Sequence, residues 1–238
     1  MKIVKKLRNY SGLTLKQIAS FLSIDFHTVS RYEIGIVKPS FINILKLAEL
    51  FNFSVDFLIS DGCSNYPGNL RLFSLAEHFD FAEMRDQRSQ IESVISTFIT
   101  KVKQENIIIL TDDLEDNFTA DICENIKRLR LSRNLSQLDV AKATNISVNT
   151  ISGYERNRYP SITKLKAIAD YFKTSCHYLC TGTSLYFNLR DKDFQDMILK
   201  ADHYLSLEEH KMLIHLMETL LQNAGIDPQN PQHILSKT

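Results

Sequence analysis

The chain has 238 residues, 44% of them hydrophobic and 24% charged, with only seven Gly and five Pro. That length allows one large or two small packed domains, and so little Gly and Pro argues against a loop-rich all-β chain. Lys/Arg and Asp/Glu are equal at 28 each, so net charge alone would exclude a polyanion binder.

The distribution of charge reverses that exclusion. Residues 1–59 hold eight Lys/Arg against four Asp/Glu, and residues 121–182 hold ten against five. Residues 60–120 hold five against eleven, and 183–238 hold five against eight. Two basic modules alternate with two acidic ones, and only the basic ones suit a polyanion. No window approaches the ~20 apolar residues of a membrane span, and the basic N-terminus has no apolar stretch behind it. The chain reads as cytoplasmic, without a membrane partner. Its four scattered cysteines, Cys63, Cys123, Cys176 and Cys180, read as reduced thiols.

In chain order, residues 1–60 parse into five short helices. Thr14, with Gln17 three residues on, forms the signature of a capping box, and Asp25, Ser40 and Ser54 mark three further helix starts. Only Ser23 and Ile24 separate the second helix from the third, so these two must cross steeply. Ala19 is small where they cross, and Ile24 and Val29 fill the space between them.

Residues 61–120 form an acidic helical segment and a linker. Ile91, Val94, Ile95, Phe98, Ile99 and Val102 recur at helical spacing. The run Ile107–Leu110 is too short for periodicity to assign as strand or buried linker, and the acidic stretch after it reads as solvated linker.

Residues 121–182 repeat the first module. At a spacing of 122 residues, ten of the thirty positions from Val4 to Glu33 are identical. Among them are Arg8 with Arg130, Ala19 with Ala141, Tyr32 with Tyr154 and Glu33 with Glu155. One residue is then lost, and Pro39, Ala48, Phe51 and Leu58 meet Pro160, Ala169, Phe172 and Leu179. Ser136, Ser147, Ser161 and Ser175 repeat the helix starts. A duplication of this kind governs the whole reading of the fold.

Residues 183–238 form a second acidic helical segment and a tail. Leu213, Leu216, Met217, Leu220 and Leu221 make an apolar stripe suited to a dimer interface. Matching Phe81/Met84 with Phe194/Met197 hints that the acidic segments are also copies. The tail, with Pro228 and Pro231, reads as extended or frayed.

The stretches LRNYSGLTLKQIA, TVSRYEIGIVKPS and LKLAELFNFSVDFL, and LRLSRNLSQLDVA, TISGYERNRYPS and LKAIADYFKTSCHYL, resemble the Cro/cI-type (XRE family) helix-turn-helix of phage and bacterial repressors. The resemblance covers residues 3–59 and 125–181. It implies an all-α chain of tandem five-helix lambda-repressor-like domains, each followed by an amphipathic helical segment. It further implies a double-stranded DNA partner read in the major groove by the third helix of each copy. On that helix the N-terminal and outward residues face bases: Phe26, His27, Thr28 and Arg31 in the first copy, Val148, Asn149 and Thr150 in the second, where Gly153 stands opposite Arg31. Phosphate contacts fall to Lys16, Lys38, Ser40 and Asn43, and to Arg133, Gln137, Arg156, Arg158, Tyr159 and Lys164. Tyr32, Tyr154, Glu33 and Glu155 read as structural.

Two departures stand out. The family's turn glycine is replaced by Ser23 and Asn145, and its phosphate-touching Gln at the start of the second helix is kept as Gln137 but is Leu15 in the first copy. Cys176 and Cys180 match Val55 and Ile59, so burial is favoured over metal ligation. No cofactor, metal or catalytic motif is read. The expected function is a transcriptional regulator, a repressor acting as a homodimer, with any effector unspecified. The rival reading is a protein-interaction module, an anti-repressor or scaffold, built on degenerate copies.

Overall fold

The computed structural model describes residues 2–62, 66–100, 121–182, 185 and 189–228. Among the described residues there are fourteen α-helices, two short 3-10 turns and no strand. The Ile107–Leu110 run, Val102 and the end of the tail lie outside the described residues.

The first module is α1 (Lys2–Tyr10), α2 (Leu15–Leu22), α3 (Phe26–Glu33), α4 (Phe41–Phe51) and α5 (Val55–Ile59). The second is α8 (Ile122–Ser132), α9 (Gln137–Thr144), α10 (Val148–Tyr154), α11 (Ile162–Phe172) and α12 (Cys176–Thr181). All eight expected cap residues stand at their helix starts. Thr14/Gln17 closes a capping box, and so does Ser136/Asp139, because aspartate reaches back as glutamine does.

The turns replacing glycine are left-handed. Ser23 has φ 56° and Asn145 φ 53°, and each N–H closes onto the carbonyl of Ala19 or Ala141. Asparagine tolerates this conformation better than serine. Val29 and Ile151 are fully buried beneath the crossing, and Ala19 and Ala141 are buried where the helices meet.

The first acidic segment is described through residue 100. It is α6 (Leu70–Ala76), two 3-10 turns at Glu77–Asp80 and Ala82–Met84, and α7 (Arg85–Ile99). The C-terminal segment is α13 (Lys192–Tyr204) and α14 (Leu207–Asn223). Helices α6, α7, α13 and α14 share one hydrophobic cluster. A second cluster is continuous through both five-helix modules.

Candidate nucleic-acid interface

In each module α2/α3 or α9/α10 presents an outward face. Phe26, His27 and Arg31 are exposed and Thr28 half-buried; Val148 and Asn149 are exposed and Thr150 half-buried. The Phe26 and His27 rings lie 3.9 Å apart between centroids, so they form one aromatic surface at the start of α3. Asp25 and Ser147 cap these helices through His27 N–H and Thr150 N–H.

Behind each reading helix lies a buried ion pair. Arg8 Nε donates to Glu33 at 2.6 Å, and Arg130 Nε donates to Glu155 at 2.6 Å. A second guanidinium nitrogen reaches the other carboxylate oxygen in each, and the arginine also donates to the carbonyl of Leu13 or Leu135. The arginine on the first helix thus ties together the end of the reading helix and the loop before the second helix. The structural roles expected of Glu33 and Glu155 are those observed. Tyr32 and Tyr154 are buried beneath their helices, and Tyr32 accepts a bond from Asn43 Nδ2 at 3.0 Å.

The copies differ in one brace. Gln137 Nε2 donates to Glu155 Oε2 at 2.8 Å, while Leu15 offers no such donor. Burial pushes Glu155 up, but hydrogen bonds from Arg130 and Gln137 outweigh it and leave the carboxyl below its ordinary range. Gln137→Leu, which gives the second copy the first copy's residue, is expected to lower stability by about 1 kcal/mol. Urea denaturation measures it; an unchanged midpoint would mean that the brace contributes nothing.

The phosphate candidates separate into two groups. Lys16, Lys38, Ser40, Arg156 and Arg158 are exposed, and Lys164, in the first turn of α11, is half-buried. Ser161 caps α11 without a side-chain hydrogen bond, leaving N–H groups at that terminus for an anion. Arg133, in contrast, donates to Phe172 O at 2.7 Å and covers the Phe172 ring at 5.2 Å, so its guanidinium closes the C-terminus of α11. Tyr159 stacks on Phe41 of the first copy, with centroids 5.4 Å apart.

One rearrangement had no sequence signal. A side chain begun at Gly153 would meet the Arg158 side chain at 3.6–3.7 Å. The Arg158 side chain, from the following turn, therefore lies at contact distance beside the Gly153 face.

The dimer candidates point inward. Leu213, Met217 and Leu221 are fully buried in the cluster that α14 shares with α6, α7 and α13, with Leu220 packed against its edge and Leu216 half-buried. Cys176 and Cys180 lie buried in α12, and burial pushes both thiols well up. They are packing residues.

A helix-turn-helix family model matches residues 4–58 and 126–179. Both modules are XRE-type helix-turn-helix domains. The chain is also similar to the HTH-type transcriptional regulator DdrOP3 of Deinococcus deserti, 36% identical over 66 residues. That alignment covers 27% of this chain and 51% of the relative, so the chain spans about half the length of the curated relative. No solved structure matches the chain significantly. The two matched regions enclose every expected base-reading residue. No helix among the described residues is long and apolar enough to cross a membrane.

Proposed function

We propose that the protein is a sequence-specific double-stranded DNA-binding regulator that represses transcription by occupying an operator in the cytoplasm. The observation that carries this reading is the pair of XRE-type domains, each with an exposed third helix braced by a buried Arg–Glu pair. Arg31 suits the O6/N7 edge of guanine, and Asn149 the N6/N7 edge of adenine. Phe26, Val148 and the threonine methyls suit thymine methyl groups. Lys16, Lys38, Arg156 and Lys164 neutralise phosphates, and the bound protein excludes polymerase.

Selection from a random duplex library at low salt tests the reading. A selected duplex whose affinity falls steeply with salt is expected, because neutralised phosphates release counterions. Failure to select any duplex would leave the interaction-module reading, which the exposed Phe21, Ile34, Ile36 and Ile42 of the first copy favour.

The base and phosphate roles predict different mutant behaviour. Asn149→Ala loses roughly 1–3 kcal/mol of discrimination at one base pair. Lys16→Ala weakens all sequences alike and makes the salt slope shallower by about one. Binding isotherms on matched and mismatched duplexes separate the two. Identical profiles would overturn the assignment.

A further inference from the structure

Past the helix-turn-helix domains the spacing returns from 121 to 122 residues. Ile91, Ile95 and Ile99 of α7 correspond to Leu213, Met217 and Leu221 of α14, and all six are buried in one cluster. Asn69 caps α6, and Asp191, 122 positions on, caps α13. Leu72 corresponds to Phe194, both fully buried. The Phe81/Phe194 match hinted at in the sequence is therefore out of register.

The contacts between the halves are reciprocal at this same spacing. Asp202 accepts from Gly68 N–H at 2.8 Å and Asn69 N–H at 2.9 Å. Asp80, its counterpart, accepts from Arg190 N–H at 2.6 Å and Asp191 N–H at 3.0 Å. Residues 68 and 69 correspond to 190 and 191. When residue i meets j′ and i′ meets j, the interface is isologous and the relation is a two-fold axis. Elements on such an axis touch their own counterparts, and α5 meets α12, α6 meets α13 and α7 meets α14. In the first of these, Asp56 accepts from Cys176 N–H at 3.0 Å and from His177 N–H at 2.9 Å. His177 is the position matching Asp56 once the one-residue loss is counted.

The segments that follow the two reading helices also meet. Phe41 begins α4, just past the turn that follows α3. Tyr159 lies in the turn that follows α10. Their stacking joins the segments that follow both reading helices at one seam.

We propose that the chain is a fused two-fold dimer, one molecule of which reads both halves of a single operator whose half-sites differ in sequence. This rests on the DNA-binding reading above. A dimer of identical chains presents the same surface twice and is restricted to palindromes. Here the frames match while the faces do not: Phe26 stands against Val148, His27 against Asn149, and Arg31 against Gly153 with Arg158 beside it. The place of a second copy is taken within the chain by α6 and α7 against α13 and α14. Because the second domain is tethered, its binding is intramolecular and needs no prior association of chains.

The test uses the full-length protein and a duplex selected from a random library. Native mass spectrometry should find one 27.4-kDa chain per duplex, and the site should hold two unlike half-sites about one helical turn apart. Arg31→Ala should relax preference in one half-site only, and Asn149→Ala in the other only. About half a turn of extra DNA between them should weaken binding at least tenfold, since both halves can no longer face the protein. Two chains on each duplex, or both variants acting on the same half-site, would overturn the fusion and leave the regulator reading standing. Equally tight binding to a palindrome of either half-site would overturn the unlike half-sites. Selection of no duplex would remove both readings.

Discussion

Replacing Glu155 with alanine is expected to destabilise the protein by about 3 kcal/mol, the lower end of the range for breaking a buried ion pair. Its carboxylate side chain is 3% exposed and receives both the Arg130 guanidinium and Gln137. Removing it strands a guanidinium that is only 12% exposed and frees the end of α10 from the last turn of α8. The lower end applies because water reaches Arg130 at its edge. The sign with pH follows from the depressed carboxyl of Glu155. Its contribution is present above the ordinary glutamate pKa and is lost as pH falls through the lower folded value. The Glu155→Ala protein should accordingly show a weaker loss of stability on acidification than the parent. Urea midpoints measured from neutral to acid pH check both statements. Parallel stability curves for the two proteins would mean that Glu155 does not titrate as described.

The same substitution at Glu33 gives an internal comparison. Glu33 has Arg8 but no glutamine, since Leu15 stands where Gln137 does. Glu155→Ala should therefore exceed Glu33→Ala by about the 1 kcal/mol of one hydrogen bond.

The first and third quarters of the fold were legible because their signals are local. A Ser, Thr or Asp that accepts its own helix's N–H needs no distant partner, and every such start is where the sequence placed it. The Arg8/Glu33 and Arg130/Glu155 identities survived duplication because a fork and a carboxylate must fit each other. The acidic segments kept hydrophobicity without identity: Ile91 became Leu213 and Ile95 became Met217. Pattern alone could not fix their register, and the chance Phe81/Phe194 match misled it. Asp80 and Asp202 are one of two surviving identities, with Thr97 and Thr219 the other, and their role is readable only once both are known to cap the opposite half.

The site was legible as a face and less so as individual contacts. Position in the helix-turn-helix pattern nominated Arg133 and Tyr159, but a side chain's partner is decided in three dimensions: one closes α11 and the other stacks across the seam. Arg158 lies beside the Gly153 face from a different position in the chain, which an alignment by number cannot reveal. Asp56 gave no signal at all, since the helix start it holds belongs to the other copy.

Truncating Leu213 to alanine is expected to have an effect of similar or larger size, about 2–5 kcal/mol for a leucine removed from a closed core. Leu213 has no exposed surface and sits in the cluster shared by both halves. The loss should not stay in the C-terminal half. α14 packs on α6 and α7, so a cavity there removes support from the element that follows the first helix-turn-helix as well as from its own. At roughly 2–4 °C for each kcal/mol in a chain of this size, the melting temperature should fall by about 4–20 °C in a single transition. Amide hydrogen exchange separates this from local loosening, because Ile18 and Val140 report on the two modules and are both fully buried. Under the fused-dimer arrangement, Leu213→Ala should speed exchange at both positions by comparable factors. Protection lost around Val140 but retained around Ile18 would mean that the halves are stable separately and merely lie side by side. A rigid spacing of two reading helices by the shared core would then no longer follow.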